Sequence, residues 1–96
     1  MVKYKFDGRE LRDRSGHKIG ILDGKYIRDS HGSKVGEIDS NGRYFRDSKG
    51  SKVAEFDGVN IRDSRGLKIS TINDIKKSID GIGGTSIVGM WIFFVR

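Results

Sequence analysis

The sequence contains neither cysteine nor proline among its 96 residues. Without cysteine, disulfide bonds and thiolate metal sites are excluded. Long apolar runs are also missing, since none reaches the roughly 18 residues typical of a membrane-spanning helix. The opening residues Met1-Val2-Lys3-Tyr4-Lys5 lack the apolar core of a signal peptide. We therefore expect a soluble cytoplasmic protein with no role at a membrane.

Charge and apolar content are those of a small folded domain. The 19 Lys and Arg residues outnumber the 13 Asp and Glu residues, which gives a formal net charge of +6. The apolar fraction of 34% rises to about half, a normal globular value, once the 14 glycines are included. We therefore expect residues 1–96 to form one domain with a core, and not a disordered basic tail.

Four copies of the motif Arg-Asp-x-x-Gly-x-Lys follow one another along the chain. They begin at Arg12, Arg28, Arg46 and Arg62, at intervals of 16, 18 and 16 residues. Each interval contains an apolar-Asp-Gly element, lengthened by two residues in Ile38-Asp39-Ser40-Asn41-Gly42. Such intervals are too short for two helices and a turn, but they suit two strands and two tight turns. Because Asp-Gly between strand-like residues is a strong hairpin signal, the repeat predicts consecutive β-hairpins.

The same turn chemistry predicts a register for each hairpin. With Asp23-Gly24 as a two-residue loop, Leu22 lies opposite Lys25. The equivalent predicted pairs are Gly20–Ile27, Lys18–Asp29, Ile38–Arg43, Gly36–Phe45, Lys34–Asp47, Phe56–Val59, Ala54–Ile61 and Lys52–Asp63. The two extra residues of the second interval keep the side-chain alternation in phase.

This alternation assigns one face of the hairpins to the core. The large apolar residues on that face are Phe6, Leu11, Leu22, Ile27, Ile38, Phe45, Phe56 and Ile61. Gly20, Gly36 and Ala54 lie among them, and we expect these small residues where the hairpins approach a common central axis.

The last third of the chain departs from the repeat. Asn73 is placed to cap a short helix that ends at Gly81, and a glycine-rich loop follows. Residues 85–95 have the β-branched and aromatic composition of a closing strand. One domain with three parts results: hairpin repeats over 3–72, a helix and glycine loop over 73–86, and a closing aromatic strand over 87–95. The predicted hairpins join residues 3–6 with 9–13, 18–22 with 25–28, 34–38 with 43–46, 52–56 with 59–62, and 68–72 with 87–94.

The Asp-Gly elements, the Arg-Asp-x-x-Gly-x-Lys motif, the glycine-rich loop and the Trp/Phe-rich end together resemble the bacterial five-fold β-flower proteins. The likeness spans nearly the whole chain. It implies an all-β fold of five repeated β-hairpins in a pseudo-five-fold, flower-like arrangement, with one short helical insert near the C-terminus. The function of that family is uncharacterised, so the resemblance supplies no site residues. Within this fold the aromatic residues 91–94 form a central plug; the alternative is an exposed patch for self-association or a partner.

No residue is singled out as catalytic. His17 and His31 lie on predicted exposed turns, where nothing indicates an oriented imidazole beside a nucleophile. The stretch Asp39-Ser40-Asn41-Gly42 begins like a calcium loop, but its twelfth position is Gly50 instead of Glu. Residues 81–86 lack the lysine of a P-loop and precede a predicted strand. We therefore expect no enzymatic activity, no cofactor and no metal.

The repeated cations are the strongest functional candidates. Arg28, Arg46 and Arg62 are predicted on the face opposite the core, with Arg12 close by. Lys25 and Arg43 lie near the Asp-Gly ends, and these six residues could bind an anionic polymer such as nucleic acid. Tyr26 and Tyr44 are the only good candidates for stacking on bases. The net charge is modest and an aspartate follows every repeated arginine, which favours a solvated face that keeps sheet edges from aggregating.

The aspartates of the repeat have a structural interpretation. Asp13, Asp29, Asp47 and Asp63 are expected to accept hydrogen bonds from amides of their own turns. Lys18, Lys34 and Lys52, as predicted cross-strand partners, add weak ion pairs. The sequence thus favours a non-catalytic structural or protein-interaction module of a bacterial protein, with anion binding as the alternative.

Overall fold

A computed structural model describes residues 3–39, 41–81 and 83–96. The described residues form β1 (Tyr4–Phe6), β2 (Glu10–Asp13), β3 (Lys18–Asp23), β4 (Tyr26–Asp29), β5 (Lys34–Ile38), β6 (Tyr44–Asp47), β7 (Lys52–Phe56), β8 (Asn60–Asp63), β9 (Lys68–Thr71), α1 (Ile72–Lys76), β10 (Ile79–Gly81), α2 (Thr85–Met90) and a π-helical segment (Trp91–Val95). None of the helices in these ranges is long and apolar enough to cross a membrane.

The strands form one open mixed sheet. Their order is β10-β1-β2-β3-β4-β5-β6-β7-β8-β9, so strands from β1 to β9 pair with their neighbours in sequence. All of these pairs are antiparallel, whereas β10 pairs with β1 in parallel. The predicted mostly-β fold of consecutive hairpins is confirmed at this level. The predicted fifth hairpin of residues 68–72 with 87–94 is wrong, because β10 supplies the tenth strand at the other edge.

The predicted hairpin register is wrong by two residues. Leu22 lies opposite Ile27 instead of Lys25. The other hairpins shift equally, with Ile38 opposite Phe45 and Phe56 opposite Ile61. Gly24 has a φ of +62° and Lys25 is not in the positive-φ region, so Gly24-Lys25 are the central residues of the turn. Glycine at the first central position is the requirement of a type II′ turn. A shift of two residues leaves every side chain on its predicted face.

A β-bulge precedes each of the four repeated arginines. The register shifts between Leu11 and Arg12, and equivalently at the three later copies. As a consequence Lys34 lies opposite Arg28. Within the hairpins, which have no bulge, the two-residue shift at the turn places Asp29 opposite Gly20. The predicted cross-strand pairs Lys18–Asp29, Lys34–Asp47 and Lys52–Asp63 are therefore wrong.

The core lies on the predicted face of the sheet. Its buried apolar strand residues are Phe6, Leu11, Ile27, Ile38, Phe45, Ala54 and Ile61, with Ile79 of β10, and Leu22 and Phe56 are half-buried against them. Gly20 and Gly36 are buried as well. The phase of the alternation, and with it the prediction that the small residues point inward, is confirmed.

The C-terminal segment is helical, so the prediction of a closing strand over 87–95 is wrong. Ile87, Val88 and Met90 of α2 have no exposed surface and belong to the core cluster. A strand inside a core would need partners for its backbone N–H and C=O groups, whereas a helix satisfies them internally. The four consecutive residues from Ile87 to Met90 are buried, so this turn of the helix contacts the core on all sides. The residues that fill the core are those of α2, whereas the predicted plug residues 91–94 are half-buried and pack against the core cluster.

The short helix after the repeats is present, with different ends. Its N-cap is Thr71, whose Oγ1 accepts a hydrogen bond from the amide of Asp74 at 3.2 Å, and not Asn73. The helix α1 ends at Lys76, because residues 79–81 form β10 beside β1. Gly81 therefore lies in a strand and does not end the helix.

Candidate functional site

The aspartate of each repeat holds its own turn. Asp47 Oδ1 accepts hydrogen bonds from the amides of Lys49 at 2.9 Å and Ser51 at 3.0 Å. The same two bonds, to the amides two and four residues later, occur at Asp13, Asp29 and Asp63. The prediction of structural aspartates is confirmed, and Asp63 is only 8% exposed.

Backbone amides stabilise the ionised form of several of these carboxylates. The amide of His17 lowers the pKa of Asp13, and the amide of Leu67 lowers the pKa of Asp63. In the Asp-Gly turns, the amide of Glu10 lowers the pKa of Asp7, and the amide of Asn60 lowers the pKa of Asp57. These groups are therefore charged acceptors that build turns.

The repeated arginines, all named as candidate anion ligands, have one shared structural contact. The Nη1 of Arg12 donates to the carbonyl oxygen of Gly16 at 2.9 Å. Arg28, Arg46 and Arg62 make the same bond to the carbonyl four residues later, at 3.1 to 3.2 Å. The side chain thus bridges the turn that its neighbouring aspartate supports. A guanidinium has five N–H donors, so one such bond leaves others available.

Carboxylates on adjacent turns partly neutralise these arginines. Arg28 Nε lies 3.3 Å from Asp23 Oδ2, and Arg46 Nη2 lies 3.9 Å from Asp39 Oδ2. Arg12 pairs with Glu10 of its own strand. Three of the four repeated arginines are therefore in direct ion pairs with carboxylates other than the aspartate that follows them.

Lys25, the fifth candidate, lies in a group around a tyrosine that we call the Tyr26 cluster. The ring centroid of Tyr26 is 5.4 Å from Lys25 Nζ, 5.1 Å from Lys34 Nζ and 5.9 Å from Arg28 Cζ. Glu37 contacts both lysines, at 3.8 and 3.4 Å. Three cations thus surround one half-buried ring, and a single carboxylate lies between two of them.

Arg43, the sixth candidate, lies in the equivalent Tyr44 cluster. Its Cζ is 5.8 Å from the ring centroid of Tyr44, and Lys52 Nζ is 5.2 Å from the same centroid. Glu55 lies 3.7 Å from both cations. Tyr44 is on β6 and Tyr26 is on β4, so one strand separates the two clusters, a spacing of roughly 10 Å.

Like charges face each other across the strands outside the core. The opposed pairs are Arg12–Lys18, Arg28–Lys34, Arg46–Lys52 and Arg62–Lys68. We call this surface, together with Lys25 and Arg43, the cationic face. Directly opposed like charges destabilise a sheet. The structure therefore brings all six predicted anion-binding residues onto one face.

The other sequence candidates have no site geometry in the described residues. His17 and His31 are exposed, as predicted, and His17 Nδ1 lies 3.4 Å from Asp13 Oδ2. The described ranges hold no group of three His, Asp or Glu residues spaced to bind a metal. Ser40 of the calcium-like stretch and Ile82 of the glycine loop lie outside the described residues. That loop precedes α2 and not a strand, which corrects the prediction, and it still lacks a P-loop lysine.

A groove beside the first hairpin was not predicted. It encloses about 400 Å³, and its lining includes Lys3, Tyr4, Lys5, Arg12, Arg14 and Asp80. Asp80 reaches it through the parallel pairing of β10 with β1, which the repeat does not encode. The sequence indicates this groove only through departures from the repeat, because Tyr4 and Arg14 occupy positions that are Gly20 and Ser30 in the second copy.

Comparison with known proteins gives no significant match to a family model, to a curated protein or to a solved structure.

Proposed function

We propose that this protein is a non-catalytic structural or protein-interaction module of the bacterial cytoplasm. Its architecture would be that of the five-fold β-flower proteins, with the hairpins β1–β2, β3–β4, β5–β6 and β7–β8 and the two edge strands β9 and β10 arranged in pseudo-five-fold symmetry around α2. The resemblance in the sequence motifs and the internal repeat support this arrangement. The open sheet contains four of these hairpins in sequence order, and β9 and β10 are its described edge strands.

One observation carries the functional part of the proposal. In all four copies the aspartate carboxylate accepts hydrogen bonds from backbone amides of its turn. The arginine guanidinium donates a hydrogen bond to the glycine carbonyl of the same turn. The polar residues that repeat most regularly therefore build the scaffold. We expect repeated polar residues with structural roles in a module that contacts other molecules through its surface and carries out no reaction.

The test is a paired measurement of association and stability. Sedimentation velocity over a hundredfold concentration range reports self-association, and urea unfolding reports stability. For wild type we expect a concentration-dependent association. The double variant Lys25→Gln/Arg43→Gln, which keeps the arginine–glycine turn bonds and adds no negative charge beside Glu37 or Glu55, should weaken it with little change in stability. Arg46→Gln should instead lower stability. Unchanged stability of Arg46→Gln, or a strictly monomeric wild type that binds anions, would overturn the proposal.

Anion binding is the second candidate, and the cationic face favours it specifically. Four directly opposed Arg–Lys pairs and two tyrosine clusters lie on one surface. A polyanion laid across the strands would relieve repulsion within each pair and release its own counterions. Half-buried tyrosines beside these cations add stacking surfaces for the bases of a single strand.

A titration separates this candidate from the first. Fluorescence anisotropy with a labelled single-stranded oligonucleotide, at low and at physiological salt, should show affinity that falls as salt rises. Lys34→Gln/Lys52→Gln should weaken binding severalfold, whereas Lys49→Gln/Arg65→Gln, on the exposed turns, should change it little. No binding at low salt excludes nucleic acid as the ligand of this face.

A further inference from the structure

We propose that the groove beside the first hairpin binds a small organic phosphate with an attached planar ring, of the size of a nucleoside monophosphate. The volume of about 400 Å³ lies within the range of small-molecule sites. A second depression of about 260 Å³ shares Lys3, Tyr4, Asp13 and Arg14 with it and adds Ser15. The two depressions are therefore adjacent, with four lining residues in common.

The groove lies where the chain breaks its own repeat. Tyr4 lies opposite Asp13, as Gly20 lies opposite Asp29 in the next hairpin. Lys5 occupies the position that is Glu37 in the third unit. Glu37 bridges two lysines there, whereas Lys5 lies opposite Arg12. The first unit thus has a cation where the second has Ile21 and the third has Glu37, and an aromatic residue where the second has a glycine.

Cations outnumber carboxylates in the groove. Its lining includes Lys3, Lys5, Arg12 and Arg14, against Asp13 and Asp80. Asp13 Oδ1 already accepts the amides of its own turn, and Asp80 lies beside Lys5 in the register of β1 with β10. Lys3 and Lys5 are exposed, and neither forms an ion pair within the described residues. The lining therefore carries two more formal positive charges than negative ones, with Arg12 also paired with Glu10, and this excess favours an anionic ligand.

Tyr4 determines the class of anion. It is half-buried and packs against the core cluster, so its ring is held by the fold while part of it lines the groove. A fixed aromatic wall beside cations suits a flat ring joined to a phosphate. A bare inorganic phosphate would use the cations alone, and an uncharged nucleoside would use the ring alone.

The experiment titrates the full chain with AMP and, separately, with adenosine and with inorganic phosphate. Two-dimensional amide NMR monitors each titration. AMP should shift the amides of Lys3–Lys5 and of residues 13–16 at millimolar or lower concentration, more tightly than either fragment. Lys5→Gln should weaken AMP and phosphate binding at least fivefold. Tyr4→Leu should weaken AMP and leave phosphate unchanged, and its spectrum verifies that the variant is folded.

Lys49→Gln is the matched control, because Lys49 is an exposed lysine in the third copy of the same turn. It should leave AMP binding unchanged. Three results would overturn the proposal: no shifts in the groove, equal weakening by Lys5→Gln and Lys49→Gln, or equal affinity for AMP and adenosine. Amide shifts confined to Tyr26 and Tyr44 would place AMP on the cationic face and would also overturn the groove proposal. The failure of this proposal can therefore be distinguished from a failure of the proposed function.

Discussion

The ring of Phe93 lies against the backbone of Gly36 so closely that a methyl group at that position would overlap the ring. Phe94 has the same relationship to Gly20. Neither glycine has a positive φ, so the absence of a side chain is required by packing and not by backbone conformation. Gly36 and Gly20 on the core face thus leave the space that the rings of Phe93 and Phe94 occupy.

Gly36→Ala should destabilise the protein by about 1–3 kcal/mol, the usual cost of overpacking a core. Urea unfolding measures the change. Because the three atoms nearest to the added methyl group all belong to the Phe93 ring, Gly36→Ala combined with Phe93→Leu should cost less than the sum of the two single changes, by roughly 0.5 kcal/mol or more. Strict additivity of the two changes would show that the ring does not occupy this space.

Removal of the C-terminal residues from Gly89 onward should abolish folding. Met90 is fully buried, and Gly89 packs so tightly that a methyl group there would lie 2.9 Å from Ile27 Cδ1. The truncation opens the centre of the core, and a domain of this size has little stability in reserve. Thermal unfolding followed by circular dichroism should show no cooperative transition. The matched control lacks only the exposed Arg96 and should melt cooperatively. A cooperative melt of the longer truncation contradicts the central role of this segment.

Side-chain alternation predicted which residues are buried, but it did not predict which residues are paired. Alternation has a period of two, so a register displaced by two residues buries the same set. The displacement arose at the turn, where Gly24 and Lys25 are central instead of Asp23 and Gly24. Burial patterns cannot detect this difference, because Leu22 faces the core in both registers.

The C-terminal helix could not be distinguished from a strand by its sequence. A continuous apolar run has no period that separates the two. The choice depends on the surroundings: Ile87 and Val88 are enclosed on all sides, so their backbone needs internal partners. The groove also could not be predicted from local sequence patterns, because β10 reaches β1 through a long-range parallel pairing.

The candidate cations could be identified from their periodicity in the sequence. Their hydrogen bonds to Gly16 and its equivalents depend on the folded geometry of the turns, which the periodicity does not specify.

Arg46→Ala should lower stability by about 0.5–1.5 kcal/mol, the usual contribution of one hydrogen bond. The lost contact is the bond from Nη1 to the carbonyl of Gly50. Lys49→Ala, in the same turn and exposed, should change stability by less than about 0.5 kcal/mol. Arg46→Lys keeps the charge without the guanidinium fork. If Arg46→Lys unfolds at the same urea concentration as wild type, the arginine acts through its charge and not through the turn.

Acid should destabilise the protein through its turn aspartates. Backbone amides lower the pKa of Asp7, Asp13, Asp57 and Asp63 in the folded state. Their contribution is fully present above the unfolded Asp pKa of about 3.9 and disappears as pH falls through the lowered folded values. The urea midpoint should therefore be nearly flat from pH 7 to about 5 and fall steeply below about pH 4.

Asp63→Asn isolates one of these groups. The asparagine oxygen still accepts from the amides of Leu67 and Arg65, but it carries no charge that acid can remove. The variant should be less stable at pH 7, because a charge-assisted bond is stronger than a neutral one, and its acid slope should be shallower. Ser64→Asn, a neutral change in the same turn, should keep the wild-type slope. An acid slope for Asp63→Asn as steep as that of wild type would mean that this carboxylate does not link folding to pH.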